Sequence, residues 1–260
     1  DYAGAVSIFI NDTIKKSLYK KNITVYGNTN LKKFNKNYVN LNYKKLFLKS
    51  STKSYIQEFI KHEKENKSDL IELHNRPSYT KYLNDIDYAK KVLYFHNDPL
   101  NMNGSKTKNE RINLLNTLDK IIFNSNWSRK RFIKNLDKIY HISPKLLVIK
   151  QSIDSKKVNL SLKKKIIIFV GKLNQAKGYD LFGKAVIQIL NKYKDWNSVV
   201  IGDEPREKIV FEHKNLKLYG YTKNEKILNL LKKVSISVIC SRWEEPFGRT
   251  SLEASSRGCA

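Results

Sequence analysis

The sequence has few of the residues that stabilise very small or membrane-embedded proteins. Only two cysteines, Cys240 and Cys259, occur in 260 residues, which excludes a disulfide scaffold and a cysteine-built zinc site and favours a reducing compartment. The longest purely apolar runs, such as 166–170, are far too short to cross a bilayer. The N-terminus shows no basic segment that would mark a secretory signal. We therefore expect a globular, cytoplasmic protein with room for two domains.

Acidic residues are scarce relative to basic ones: 24 Asp and Glu stand against 50 Lys and Arg, a formal net charge of +26. A surplus this large is typical of proteins that bind nucleic acid or anionic membranes. Only eight of the cations are Arg, however, and a bias toward Lys, Asn and Ile is also what an AT-rich genome encodes at tolerant surface positions. The stretch 13–57, with eleven lysines and no acid, is a candidate for contact with an anionic membrane.

Short β-branched runs alternate with helical patterns along the chain. In the second half, the patterns predict strands at 166–170, 198–201 and 234–240, and helices at 179–193, 223–232 and 249–256. In the first half, they predict a helix at 3–20 and strands at 23–26, 70–73, 92–95, 121–123 and 146–149. Such alternation predicts an α/β protein with two Rossmann-like, doubly wound domains. Domains of this kind bind their ligands at the carboxyl ends of the strands, in a central cleft between them.

A polar, Lys- and Ser-rich segment at 151–163 resembles a linker. We accordingly predict an N-terminal domain at 1–160 and a C-terminal domain at 161–260. The first predicted element is a helix with no strand before it, and the last residues stand where another strand would begin. We therefore expect this sequence to be truncated at both ends, without the first strand and the last elements of the fold.

The strongest functional pattern is RWEEPFGRTSLE, in which Glu245 and Glu253 stand eight residues apart. Pro246 favours an extended conformation at Glu245, and a helix can begin only after Gly248. One carboxylate then lies on a loop and the other in the first turns of a helix, and we expect both to face one crevice. Carboxylates suit the hydroxyls of a sugar or ribose, and the free N–H groups of 248–251 suit phosphate oxygens.

Two lysines follow the strand predicted at 166–170. The run FVGKLNQAKG places Lys172 and Lys177 at the carboxyl end of this strand, just before a helix. Cations in that position can clamp a diphosphate and offset the charge that develops on it as a leaving group. Lysine is common throughout this chain, so the placement after the strand, and not the residue type alone, supports the prediction.

Together with VIGD at 200–203 and LYG at 218–220, these two patterns closely resemble the retaining glycosyltransferases of family 4, glycosyl transferases group 1, which have the GT-B fold. The resemblance runs through nearly the whole chain. In the first half, YAGA at 2–5 is similar to the glycine-containing loop into the first helix of that family. HND at 96–98 is similar to the segment with its active-site histidine, and NSNW at 124–127 to its step from a strand through Ser to a helix.

This resemblance implies a role for each matching residue. Glu253 would hold the ribose of the nucleotide, and Glu245 would bind the hydroxyls of the donor sugar. His96 would lie at the sugar end and hydrogen-bond the donor or the acceptor, so that His96 and Glu245 form the implied catalytic group. The residues implied to bind the diphosphate are Lys172, Lys177 and the backbone of Gly4, Phe247, Gly248, Arg249 and Thr250.

The implied reaction moves a sugar, with retention, from a UDP- or GDP-sugar to a glycan or lipid-linked acceptor in the synthesis of envelope polysaccharide or lipopolysaccharide. The acceptor hydroxyl would attack from the front face while the leaving phosphate takes its proton. Lysines and a helix dipole would stabilise the phosphate charge, with no cofactor and no metal. Such an enzyme would work in the cytoplasm, at the inner face of the cell membrane if it contacts anionic lipid.

Two positions depart from the family pattern. The family usually has Arg where Lys172 stands, so a point charge replaces a bidentate fork. The segment KQSID at 150–154 replaces a common Asn-Gly-Val-Asp. In addition, Asp85-Ile-Asp87 matches the Asp-x-Asp pattern of metal-dependent sugar transferases, but it follows a helical segment at 78–84 and not a strand, which argues against a metal there.

His74 follows the strand predicted at 70–73 and is a second candidate for the cleft, whereas His62, His141 and His213 lie in polar surroundings typical of the surface. Two alternative functions stay open. One is a basic, non-enzymatic module that binds nucleic acid or anionic surfaces. The other is a GT-B enzyme of a different reaction, such as a nucleotide-sugar epimerase. The absence of an RNA-binding signature argues against nucleic acid as a partner.

Overall fold

The computed structural model describes residues 4–29, 37–42, 51–154 and 156–260. The chain divides into two compact units, Asp1–Gln151 and Ser152–Ala260. Each unit contains a four-stranded sheet in which all neighbouring strands are parallel. The predicted α/β class with Rossmann-like units is thus confirmed. Within the described ranges, none of the helices combines the length and the apolar character that a bilayer crossing requires.

The first unit contains the strand order β3-β4-β5-β6 and a separate parallel pair, β1-β2. Its elements are α1 (Ala5–Lys16), β1 (Val25–Gly27), β2 (Tyr38–Asn40), α2 (Ser51–Asn66), β3 (Leu70–His74), β4 (Lys90–Phe95), α3 (Lys108–Thr117), β5 (Lys120–Phe123), α4 (Asn126–Ile133), α5 (Lys138–His141) and β6 (Leu146–Val148). Five of these strands, all except β2, agree with predicted strands to within two residues. Helices α2, α3 and α5 have no counterpart among the predicted elements, whereas α4 begins after Ser125, where the resemblance of NSNW implied a helix.

Helices cover both faces of the first sheet. One face packs against α3 and α4 in a core built from Leu93, Phe95, Leu114, Ile121, Phe123 and Phe132. The opposite face carries Val92, Tyr94 and Ile122, which pack against Phe9 of α1. Alternate residues of a strand point to opposite faces, and this alternation explains how continuous apolar runs serve both cores. Because the strands are parallel, the residues that end or follow them lie at one edge of the sheet.

Helix α1 is shorter than the helix predicted at 3–20. It ends at Lys16 because Ser17 is extended, and the Ser17 hydroxyl accepts a hydrogen bond from the backbone N–H of Tyr19 at 3.1 Å. Local hydrogen bonds of this kind compete with helical ones, which stops the helix although its pattern continues. Residue 3, where the predicted helix begins, lies outside the described residues.

The second unit has the strand order β10-β7-β8-β9. Its elements are β7 (Lys164–Val170), α6 (Tyr179–Lys192), β8 (Asn197–Ile201), β9 (Leu216–Leu218), α7 (Asn224–Leu231), β10 (Val234–Ser237) and α8 (Arg249–Ser255). Helix α6 packs on one face of this sheet and α7 and α8 on the other. After β7 the chain continues to β8, which lies on one side of β7 in the sheet, and it later returns to β10, which lies on the other side of β7. The carboxyl ends of β7 and β10 therefore form the switch point at which doubly wound sheets bind ligands.

The boundary between the units falls between Gln151 and Ser152, earlier than the predicted boundary at 160/161. The segment after it belongs to the second unit because it contacts the end of the chain. Nη1 of Arg257 donates a hydrogen bond to the carbonyl oxygen of Asp154 at 2.8 Å. A polar composition alone predicted a linker here, but composition does not report which unit the segment packs against.

Candidate functional site

The loop after β7 and the segment after β10 contact each other at the carboxyl edge of the second sheet. Arg242 makes much of this contact: its guanidinium forms a fork with the carboxylate of Asp180, at 2.5 and 2.6 Å. The same guanidinium donates to the carbonyl of Gln175 at 2.6 Å, and the Arg242 backbone N–H donates to that of Ala176 at 3.0 Å. The hydrogen bond from Arg242 is the main cause that lowers the pKa of Asp180 to about 2. The two segments are thus fixed to each other.

Gly178 allows these segments to approach closely. It has φ +71°, in the left-handed region, and forms the N-cap of α6. A Cβ added at this position would collide with the carbonyl oxygen of Cys240. Strand β10 ends at Ser237 and not at the predicted residue 240, because the chain beyond it bends over Gly178, where Sγ of Cys240 lies 3.1 Å from the Gly178 carbonyl oxygen.

Lys177 and Glu245 form an ion pair between the two segments. Nζ of Lys177 contacts Oε1 of Glu245 and lies 5.0 Å from the centre of the Trp243 ring. The same Oε1 accepts hydrogen bonds from Oγ of Ser241 at 2.8 Å and Nε1 of Trp243 at 3.2 Å. Among the described residues, none donates a hydrogen bond to Oε2. The Lys177 and Glu245 side chains are both about a quarter exposed, so a cation and a carboxylate oxygen are accessible side by side.

Lys172 lies on the same loop and is more exposed. Its side chain is 62% exposed, and its Nζ is 4.0 Å from Oε2 of Glu204 in the loop after β8. Arg206 forms a closer fork with Glu204, at 2.6 and 2.8 Å, and this hydrogen bonding is the main cause that lowers the pKa of Glu204 to about 2. Glu204 is thus paired more closely with Arg206 than with Lys172, and the contact of Lys172 with a diphosphate stays a prediction.

Glu253 belongs to a different group of hydrogen bonds, on α8. The residue is only 5% exposed. Its Oε1 accepts from Nε of Arg249 at 2.9 Å and from Nδ2 of Asn224, on α7, at 3.0 Å. No described residue donates to its Oε2. The structure therefore brings Lys177 directly to Glu245 and holds Glu253 separately, so the expectation that both carboxylates face one crevice stays a prediction.

The turn before α8 matches the predicted helix start. Gly248 is the N-cap, with φ +76°. The backbone N–H of Ser251 donates to the carbonyl of Gly248 at 3.1 Å, so the expectation that this N–H is free for phosphate is wrong: the first turn closes on itself. Phe247, Arg249 and Thr250 are partly buried, and their contact with a diphosphate stays a prediction.

In the first unit, His96 lies in a chain of side-chain hydrogen bonds. Its Nε2 is 2.9 Å from Nδ1 of His74, and its Nδ1 is 3.0 Å from Nε2 of Gln151. Nε2 of His74 is in turn 2.9 Å from Oε1 of Glu72. Both ring nitrogens of His96 are therefore engaged by protein groups. A ligand that hydrogen-bonds this ring has to take the place of one of them.

The surroundings of His96 keep it neutral. Burial is the main cause that lowers its pKa to about 3, and the neighbouring His74 adds to this effect. The Tyr94 ring stacks on the imidazole at 4.4 Å, and Phe9 of α1 approaches it edge-on at 4.9 Å. A neutral imidazole donates one hydrogen bond and accepts another, but it carries no charge to bind a diphosphate. Its geometry suits hydroxyl groups.

Gly4, also predicted to bind the diphosphate, is the N-cap of α1. Its φ of −70° is ordinary, and an added Cβ would meet nothing among the described residues, so the local backbone does not require glycine. The neighbouring residues 2 and 3 lie outside the described part of the chain. Asp85 and Asp87 follow a 3₁₀ helix, Pro77–Tyr82. In the described ranges, no group of three or more His, Cys, Asp or Glu could hold a metal ion.

Several residues of these groups are missing from the predicted site, among them Arg242, Gln151 and Asn224. Arg242 stands inside the RWEEPFG pattern, so a signal for it was present in the sequence. Gln151 and Asn224 contact partners that lie 55 and 29 residues away along the chain, and no local pattern links them to those partners.

Two Rossmann-like units, each with a parallel sheet covered by helices on both faces, match the predicted GT-B class of fold, which the similarity to solved structures supports. Residues 150–260, somewhat less than half of the chain, match the family model of glycosyl transferases group 1. No curated protein sequence matches the chain significantly.

Several solved structures are similar to this chain. HepE of Anabaena, solved in complex with UDP-glucose, superimposes with a TM-score of 0.75 at 16% identity, over 99% of this chain and 76% of that one. The lipopolysaccharide outer core galactosyltransferase WaaB, in its apo form, gives 0.63 at 16% identity, over 98% of this chain and 75% of WaaB. TarM gives 0.61 at 13% identity over 78% of this chain, which spans only 43% of TarM. At these identities the similarity shows the fold.

Proposed function

We propose that the protein is a retaining glycosyltransferase that moves a sugar from a nucleoside diphosphate sugar to a glycan or lipid-linked acceptor. One observation carries the proposal. At the switch point of the second sheet, the loop after β7 supplies Lys172 and Lys177, and the segment after β10 supplies Glu245. Cations beside a carboxylate match a ligand that carries both a diphosphate and sugar hydroxyls. The match of residues 150–260 to glycosyl transferases group 1 supports the same reaction.

The ion pair between Lys177 and Glu245 suggests how the donor would bind. A diphosphate carries more negative charge than a single carboxylate. The Nζ of Lys177 therefore leaves Glu245 and binds the diphosphate instead. Glu245 keeps its hydrogen bonds from Ser241 and Trp243 and directs Oε2 to the hydroxyls of the sugar. Glu253 accepts from the ribose through its own Oε2, while Arg249 and Asn224 hold the carboxylate in place.

The reaction then needs little from the protein beyond position and charge. The acceptor hydroxyl attacks the anomeric carbon from the front face, its proton passes to the leaving phosphate oxygen, and the bond from carbon to that oxygen breaks. Lys172 and Lys177 stabilise the charge on the departing diphosphate, and the backbone at Phe247–Thr250 and at Gly4 adds to it. His96 hydrogen-bonds a hydroxyl of the donor or acceptor. The reaction proposed in this way uses no metal and no cofactor.

The acceptor and the place of action are proposed from the first unit. Leu18 and Tyr19 are 96% and 73% exposed, at the end of α1 between the exposed pairs Lys15–Lys16 and Lys20–Lys21. Apolar side chains flanked by lysines suit an anionic bilayer, which a lipid-linked acceptor in envelope glycan synthesis would share. The enzyme would then act in the cytoplasm at the inner face of the membrane. Cosedimentation with vesicles that do or do not contain anionic lipid tests this contact.

The proposed donor site is tested by binding of UDP- and GDP-sugars, beginning with UDP-glucose. The wild-type protein is expected to bind one of them. Glu253→Gln should weaken that binding about ten- to a hundredfold, because a neutral amide replaces a charge-assisted hydrogen bond worth about 1.5–3 kcal/mol. The side-chain oxygen of Gln can still accept from Arg249 and Asn224, so the fold should survive. Isothermal titration calorimetry gives the dissociation constants.

Glu212→Gln is the matched control, since Glu212 is an exposed glutamate of the same unit outside the proposed site. It should bind the donor as tightly as the wild type. Equal affinity in Glu253→Gln would contradict the ribose contact, and a wild-type protein that binds no UDP- or GDP-sugar would overturn the proposed function. Retention is tested by NMR, which compares the anomeric configuration of the product with that of the donor. A chelator present in the same reaction tests whether transfer proceeds without a metal.

A further inference from the structure

The side chains of Glu72, His74, His96 and Gln151 form a continuous row of hydrogen bonds in the first unit. Its three contacts measure 2.9, 2.9 and 3.0 Å. We propose that His74, oriented by Glu72, is a positioning residue that holds the proton of His96 on Nε2 and leaves Nδ1 as a fixed hydrogen-bond acceptor. The nature of the ligand at His96 rests on the proposed function, whereas the position of the proton does not.

The position of each proton follows from the donors and acceptors in the row. A carboxylate only accepts, so the contact with Glu72 requires a proton on Nε2 of His74. A neutral imidazole carries one ring proton, so Nδ1 of His74 accepts from Nε2 of His96. The Nδ1 of His96 is then an acceptor, which matches the amide nitrogen that Gln151 places 3.0 Å away. With both rings neutral, every contact has one donor and one acceptor.

Packing prevents the His96 ring from turning to escape this arrangement. Its imidazole is nearly parallel to the Tyr94 ring, at an interplanar angle of 7°, and Phe9 closes another side. The His96 backbone N–H donates to Oδ1 of Asn75 at 2.7 Å, and its carbonyl accepts from Nδ2 of Asn124 at 2.8 Å. The backbone and the ring are both held, so the hydrogen bonds determine which nitrogen carries the proton.

A fixed acceptor at Nδ1 selects the chemistry of a ligand. A hydroxyl can donate to it, as the amide of Gln151 does in this structure, whereas a phosphate oxygen finds no donor there. For the glycosyl transfer proposed above, the partner is a sugar hydroxyl that displaces the Gln151 amide. His74 thereby acts on specificity through His96 without touching the ligand itself.

The tautomer can be measured without any substrate. Long-range ¹H–¹⁵N NMR of the histidine rings in the intact protein at neutral pH should show His96 protonated on Nε2. In His74→Phe, which keeps an aromatic ring but removes the acceptor, His96 should become a mixture of tautomers. In His74→Asn, whose side-chain oxygen reaches about the position of Nδ1, the Nε2–H form should be restored.

His62→Phe is the control, since His62 also lies near a glutamate, 3.7 Å from Glu58, but belongs to α2. It should leave the His96 signals unchanged. The proposal is overturned if wild-type His96 carries its proton on Nδ1, as it would beside a doubly protonated His74. It is overturned equally if His74→Phe leaves the tautomer unchanged.

Activity separates this proposal from the proposed function. If a nucleotide sugar is turned over, His74→Phe should lower kcat at least about tenfold, and His74→Asn should recover most of it. Unchanged kcat in a variant whose His96 tautomer is lost would overturn the positioning role. If no nucleotide sugar is turned over while the tautomers behave as expected, the proposed function fails and the assignment of the proton stands.

Discussion

Gly178→Ala is expected to lower the free energy of unfolding of the second unit by about 2–5 kcal/mol. Two effects add. Gly178 has φ +71°, where an L residue costs about 1–2 kcal/mol, and the new Cβ would press on the carbonyl of Cys240. That carbonyl is backbone and lies in the segment that Arg242 anchors, so it cannot yield cheaply. Urea unfolding followed by circular dichroism measures the loss.

Gly220→Ala separates the two effects. Gly220 also has a positive φ, +61°, but an added Cβ would meet nothing within 4 Å. This variant should lose only the backbone cost, about 1–2 kcal/mol. The additional loss in Gly178→Ala is then the cost of separating the loop after β7 from the segment after β10. Equal losses in the two variants would mean that the close approach at Cys240 does not matter.

The second unit could be predicted well because its signals are local. Buried parallel strands are continuous apolar runs, and the run predicted at 166–170 lies within β7, Lys164–Val170. The position of Lys172 and Lys177 after that strand, and of Glu245 after another, follows from the same pattern. It could therefore be predicted that these three residues lie at the same edge of the sheet. The direct pairing of Lys177 with Glu245 could not be predicted, because it depends on β10 lying beside β7.

The first unit was harder to predict for two physical reasons. Helix α2, Ser51–Asn66, buries Ile56, Phe59 and even Glu63, but lysines and glutamates between them obscure its apolar face. The row at His96 depends on strand order: His74 ends β3, and His96 follows β4 as its neighbour in the sheet. Strand order is set by tertiary packing, so the sequence offered His74 and His96 only as separate candidates.

Lowering the pH from 7 to 5 should cost the protein about 2 kcal/mol of stability through His96 alone. The folded state keeps this ring neutral down to a pKa of about 3, whereas in the unfolded chain it binds a proton near pH 6.5. Below pH 6.5 the unfolded state therefore binds more protons, and stability falls by about 1.4 kcal/mol per pH unit until the folded pKa is reached. Urea unfolding at both pH values measures this loss.

In His96→Gln the titrating group is absent. Between pH 7 and pH 5, the free energy of unfolding of this variant should therefore fall by about 2 kcal/mol less than that of the wild type. Charged groups on the neighbouring elements remain in both proteins, so most of their effect on stability cancels in this comparison. These groups include Glu72 and His74 on β3, Asp12, Lys15 and Lys16 on α1, and Lys150 beside Gln151. His62→Gln, at a half-exposed histidine, should retain the wild-type pH dependence. Parallel curves for His96→Gln and the wild type would show that the folded protein accommodates a charged His96, and the row from Glu72 to Gln151 would then not hold that ring neutral.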